Sequence, residues 1–510
     1  MSMSRLFLVV TAAGLALVVS PVYAHGFGTR YDLPVPLWLY ISGAGAAVAL
    51  SFVIVGLFVQ GASVVHAYPR LNLLRWGFGR ALVHPVVVTT IRIFSVGLLV
   101  LVIVAGIAGT EIDTLNFAPT MVWVIWWVGT AYASALIGNV WGLVNPWNTP
   151  FKWAESFFSK INPDGDFGLD QEYPSNWGVW PGVILFFTFA WVEIVYGQSS
   201  VPGRIALMAL AYTAITWSGM FIYGRETWLR HGEAFSLAFG FLARFSPTEI
   251  RVTDTTVCEH CLVDCMDLDG NCIDCAECFS AAEPEYREFN ISPFAVGLLR
   301  NDRTPTSMMV FVVLLLSTVT FDGFTATPLW ADIFNFLIDA IPNISVVGTI
   351  GLLAFPIIFI VVYLIFAKMM SSAGGGKVSY DVIGRAFVFS LIPIALAYHL
   401  AHFFAFLLIQ GQLIIPLISD PLGRGWDVFG TAGYTVDIAI VNARTAWFVS
   451  VAAIVIGHIV AVYLAHVIAL RTIAERHSAI RSQYPMMVLM VGYTMVSLWI
   501  LAQPIVEAGG

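Results

Sequence analysis

Apolar runs long enough to cross a lipid bilayer recur from one end of the chain to the other, with little polar sequence between them. Of the 510 residues, 58% are hydrophobic and only 11% are charged, against roughly 25% charged in a soluble domain. At about 20 predominantly apolar residues per helical crossing, the chain has room for roughly eight to eleven spans and one or two polar insertions. The fold class expected is all-α: a polytopic helical membrane protein with broken or re-entrant segments and one cysteine-rich insertion. A soluble enzyme and a nucleic-acid binder are excluded on the same ground, and membrane lipids are obligatory partners.

The opening MSMSRLFLVVTAAGLALVVSPVYA has an early base, an apolar run and a small-residue ending. That is the form of a signal peptide over residues 1–24; the alternative is an uncleaved first helix. Cleavage leaves His25 as an exported N-terminus, where the free amine and the imidazole together suit copper. Excess Lys and Arg mark cytoplasmic loops. Counted from an exported end, spans at about 38–60, 87–109, 119–141, 180–197 and 204–223 put Arg70 to Arg80, Lys152, Lys160, Arg225 and Arg230 inside. The apolar stretch 232–250 is too short for a crossing and closes an N-terminal membrane region, 25–250. An acidic, cysteine-rich insertion and connector fill 251–305. The C-terminal membrane region, 306–510, carries spans at about 306–320, 345–368, 381–409, 443–470 and 486–505.

Histidines inside apolar helices are the strongest chemical feature. His399 and His402, in LAYHLAHFF, are three apart and adjoin on one helical face. His458 lies near the middle of the next long run at a compatible depth, whereas His466 is eight residues, or about 12 Å, further along. His399, His402 and His458 are therefore the candidate ligands of a divalent metal, zinc first and copper second, with His466 in a supporting or inward-facing place. Hydrogen bonding across the bundle is the plainer role for each ring. Asp322, in VTFDGFTATPLW, reads as following a helix end, where Gly323 permits a change of direction and Pro328 limits continuation; it is the candidate catalytic carboxylate. Asp427, Asp437 and Glu193 are supporting acidic groups, and NPWNTP, with Asn145, reads as a broken helix.

All six cysteines fall in VCEHCLVDCMDLDGNCIDCAECF, as Cys258, Cys261, Cys265, Cys272, Cys275 and Cys278. In a reducing compartment this spacing favours an additional metal site, and outside it favours disulfides.

The segments HGFGTRYDLPVPLWLYISGAGAAVALSF, FDGF, YHLAHFFAFLLIQGQLIIPLISDP and the cysteine island together resemble the fenitrothion-hydrolase-like family of bacterial membrane proteins. The resemblance implies hydrolysis of organophosphate esters at the membrane. A metal-dependent hydrolase of hydrophobic phosphoesters is accordingly the first expectation, since a bound metal activates water. A transporter or metal-handling protein is the alternative, the same groups then binding an ion in passage. A haem or electron-transfer subunit is a third. The small-molecule partner is a hydrophobic ester or an ion.

Overall fold

In hydrocarbon the backbone has no water to bond, so apolar runs close their hydrogen bonds within helices. The computed structural model describes residues 31–59, 68–163, 165, 167–261, 265–300 and 304–505; the expected leader and His25 lie outside them. The helices are α1 Leu37–Phe58, α2 Pro85–Ala108, α3 over 117–136, α4 Trp180–Ile194, α5 Pro202–Tyr223, α6 Ala234–Ala243, α7 Thr306–Thr325, α8 Ile344–Ala373, α9 Tyr380–Ser419, α10 Ala443–Thr472 and α11 Arg476–Ile505. All but α3, α4 and α6 are long and apolar enough to cross a membrane, giving eight such helices among the described residues. Pro85 and Pro202 open α2 and α5, where a missing N–H costs nothing. α3 widens into i→i+5 turns over Thr120–Gly129. α6 rises only about 15 Å, half the hydrocarbon thickness, and is followed directly by a strand.

Contacts at the helix ends fix how the chain alternates. A Cβ on Gly106, late in α2, would meet Pro202 and Ala206 at the start of α5, so those two ends lie together with α3 and α4 between them in the chain. The Tyr31 amide donates to the Ile505 carbonyl at 3.0 Å, which sets the first and last described residues on one face. On the opposite face, residues 248–261 and 265–300 with Leu71–Asn72 build a small domain around a four-stranded antiparallel sheet. Its strands are β1 Leu71–Asn72, β2 Thr248–Val252, β3 Cys272–Ile273 and β4 Arg287–Ile291, in the order β1-β4-β2-β3. The sequence reading of the insertion, as cysteine-rich and acidic, assigns it no strands.

α7 is the central helix: 78% of its apolar window is buried inside the protein, against 17% for α2 at the periphery. Two glycines set its surroundings. A Cβ on Gly457 of α10 would lie 2.4 Å from the Ala397 Cβ and 2.7 Å from the Pro393 carbonyl, so α9 and α10 approach to backbone contact there. A Cβ on Gly323 of α7 would lie 2.3 Å from the Tyr398 hydroxyl. Gly323 therefore admits Tyr398 against α7 and does not bend the chain; α7 continues to Thr325, and Asp322 sits within its last turn. Pro328 begins the following short helix, Pro328–Ala340, under a Thr327 cap.

Candidate metal centre and intramembrane site

The cysteine domain gathers its sulfurs by folding three short elements together. A 3-10 turn, Thr255–His260, contributes Cys258, with Cys261 just beyond it; β3 contributes Cys272; the helix Ala276–Ala281 contributes Cys278 and is preceded by Cys275. Asp274, between Cys272 and Cys275, takes a left-handed φ of 58°. Its carboxylate accepts the Ile250 amide at 3.1 Å and the Arg300 guanidinium, which offsets the strain of that conformation for a residue with a short polar side chain. All six cysteines are free thiols. The Cys265 and Cys278 sulfurs lie 3.5 Å apart, and those of Cys261 and Cys275 lie 3.9 Å apart, far beyond a disulfide bond of about 2.05 Å. A tetrahedral site with metal–sulfur bonds of about 2.3 Å spaces its sulfurs by about 3.8 Å. Four ligand atoms, from Cys258, Cys265, Cys272 and Cys278, lie within 4.8 Å of one another. The buried cluster can hold a metal ion. Hydrogen bonding from Cys272 holds the Cys275 thiol down at about 4 against the effect of burial, with Arg230 assisting, while burial pushes Cys265 up to about 12.

Arg225 joins this domain to the bundle. It binds Glu155 at 2.8 Å, Asn148 at 3.1 Å, the adjacent Glu226, and Glu277 of the cysteine helix at 2.8 Å. Beside it a cleft of about 260 Å³ lies between domain and bundle, lined by Cys275 together with Arg92, Lys152 and Arg230. Burial pushes the Glu226 carboxyl up to about 7, against the pull of Arg225 and with the help of its hydrogen bond to Glu277. Glu277, although burial raises it, is held below the usual carboxylate range by Glu226 and Arg225. Between about pH 4.5 and 7 the folded protein thus keeps a Glu226 proton that the unfolded chain has lost, so stability falls as pH rises through that window. In detergent, the thermal midpoint is expected to drop across it, and Glu226→Gln should flatten the slope. An unchanged slope in that variant would remove Glu226 from the linkage.

Inside the bundle, α4, α7 and α9 enclose a second site. The His402 Nε2 lies 2.9 Å from Asp322 Oδ2, brought there by the fit of Tyr398 against Gly323 one turn away. Asp322, Glu193 and His399 line one buried cavity of about 30 Å³, walled by Trp127, Phe186 and Phe403. Both ring nitrogens of His399 lack a protein partner. Its ring stands edge-on to Trp127 and Tyr132, so the cavity is where a polar occupant would meet it. A buried polar group without a partner costs about 1–3 kcal/mol.

The other anticipated residues fall elsewhere. His458 donates from Nδ1 to the Ile454 carbonyl at 2.8 Å and stands beside Tyr493. Among the described residues, only cysteines bring three or more ligand groups within 4.8 Å, so His399, His402 and His458 are not drawn into one metal-sized cluster. His466 faces Gln483 Oε1 at 2.8 Å and the Val59 carbonyl at 2.9 Å, toward the cysteine-domain face. Asp427 and Asp437 organise the exposed loop after α9 by accepting the amides of Ala432 and Ala439.

A third polar centre went unmarked in the sequence. Glu233, fully buried ahead of α6, accepts Trp141 Nε1 and Asn145 Nδ2, each at 3.2 Å, the Tyr212 hydroxyl, the Phe235 and Ser236 amides at 3.0 and 2.7 Å, and the Ser236 hydroxyl at 2.6 Å. Asn145, within the anticipated broken helix, also caps the amides of Trp147 and Asn148. The available signal was a lone glutamate at the head of an apolar run too short to cross. Compared with known proteins, the chain matches no family model, no curated protein and no solved structure.

Proposed function

We propose that the protein is a proton-coupled, metal-handling transporter of the bacterial inner membrane. Asp322, His402, His399 and Glu193 form its proton-binding site, and the cysteine domain is its metal-binding module. The observation that carries this reading is the cavity of about 30 Å³ between two carboxylates and an imidazole. A water needs about 10–15 Å³ measured in this way, so roughly two waters fit; pockets for small organic molecules begin near 300 Å³. Ionisable groups inside a bilayer are costly and mark proton relays or ion paths. Their ligand atoms are too dispersed for a metal's inner shell, an arrangement suited to proton transfer through water.

Positive charge supports the orientation. Arg70, Arg225, Arg300 and Arg471 bind residues of the cysteine domain, and Lys152 lines the cleft beside it; on the other face Arg424 binds the Ala108 carbonyl and Arg444 lies over Phe448, beside Tyr31. By the excess of Lys and Arg in cytoplasmic loops, that domain is cytoplasmic and the joined ends are outside. Cytoplasmic thiols stay reduced, which favours metal over disulfides.

Metal-dependent hydrolysis of a phosphoester, which the family resemblance implies, is the second reading. In its favour stands the cleft of about 260 Å³ with basic groups beside Cys275. Vesicles containing the purified protein and a lumenal pH dye separate the two. Transport predicts that an imposed proton gradient dissipates faster than through lipid alone, at a rate that changes when Zn²⁺ or Cu²⁺ is added. Dissipation at the lipid rate with either metal, joined to metal-dependent cleavage of a nitrophenyl phosphotriester, would replace transport by hydrolysis.

A further inference from the structure

The six sulfurs form two overlapping sets. Cys258, Cys265, Cys272 and Cys278 place four ligand atoms within 4.8 Å of one another, and Cys261, Cys265, Cys275 and Cys278 do the same. Cys265 and Cys278 belong to both sets, and their sulfurs are 3.5 Å apart. A single tetrahedral ion uses four thiolates and leaves two buried or half-buried thiols with no task. Two tetrahedra that share an edge use six sulfurs, the number present, and the shared edge is the pair common to both sets.

We propose that the cysteine domain holds two thiophilic divalent ions in one thiolate-bridged cluster, with Cys258 and Cys272 terminal on the first ion, Cys261 and Cys275 terminal on the second, and Cys265 and Cys278 bridging. The separation of Cys261 and Cys275, 3.9 Å, is that of terminal ligands on one tetrahedron, for which about 3.8 Å is expected. Each thiol that binds releases its proton, because the thiolate is the ligand. Six thiolates and two dications leave a net charge of two minus, and Arg230 lines the same cleft as Cys275, where its positive charge favours that cluster. The domain is held against the bundle by Arg225 through Glu277, so cluster geometry and docking share one short helix. The inference concerns the domain alone and does not depend on proton transport.

Anaerobic titration of the full-length, metal-stripped and reduced protein with Co²⁺ is the test. Thiolate-to-cobalt absorption is expected to saturate at two equivalents. The paramagnetic signal of isolated Co²⁺ should rise with the first equivalent and fall with the second, as the two ions couple through the bridging sulfurs. Cys258→Ala should keep about one ion, and Cys278→Ala should lose tight binding of both. Saturation of the wild-type protein at one equivalent, or acid-labile sulfide in the protein as purified, would overturn the proposal whether or not the variants fold.

Discussion

Glu233→Ala should destabilise the protein by about 3–5 kcal/mol, because several donors lose one acceptor at about 1–3 kcal/mol for each that stays unsatisfied. The carboxylate is the common acceptor for side chains from α5, from the segment after α3 and from the first turn of α6. Trp141 and Asn145 are buried, and alanine would leave donors without their acceptor while opening a void. Glu233→Gln keeps the shape but turns an amide donor toward groups that already donate, and should cost about 1–3 kcal/mol. Denaturation midpoints in detergent measure both. An alanine variant within about 0.5 kcal/mol of wild type would show that the network contributes nothing to stability.

Asp322→Asn should reduce proton flux in vesicles about 10²-fold or more, the usual scale for a positioned acid or base. Asparagine keeps the volume beside His402 but cannot exchange a proton with the ring or with cavity water. His402→Ala should have a comparable effect. Because the two groups act as one unit 2.9 Å apart, the double variant should be little worse than either alone. Glu193→Gln tests the far wall of the same cavity and should slow flux without abolishing the Asp322–His402 contact. Wild-type flux in Asp322→Asn, with the protein correctly inserted, would take the pair out of the path.

The spans were legible because hydrocarbon imposes a length and a composition. Expected boundaries near 38–60, 87–109 and 443–470 became Leu37–Phe58, Pro85–Ala108 and Ala443–Thr472. Individual polar residues were legible too, since Asp322, His399 and His402 stand out against apolar neighbours. Their pairing was not: Asp322 and His402 are 80 residues apart, and nothing periodic links them. What aligns them is the absence of a side chain at Gly323 opposite Tyr398, which in sequence looked like a bend. The sheet was hidden for another reason. β1 is two residues long and pairs with β4 across the whole N-terminal membrane region, and two residues carry no alternation to read. The overlapping cysteine sets likewise required coordinates, because spacing gives the number of ligands but not which of them are shared.

The bond between Tyr31 and Ile505 also bears on the order in which the molecule can be made. α1 packs against α10 and α11, which leave the ribosome long after it; Gly45 of α1, for example, faces Val491 and Met495 of α11. Contacts of such wide sequence separation form late and slow folding. Until α10 and α11 have been made, α1 lacks these partners, and its flank stands open to lipid or to another nascent chain. A stop codon ahead of α10 would therefore be felt at α1, leaving that helix without either partner and open to quality-control proteolysis.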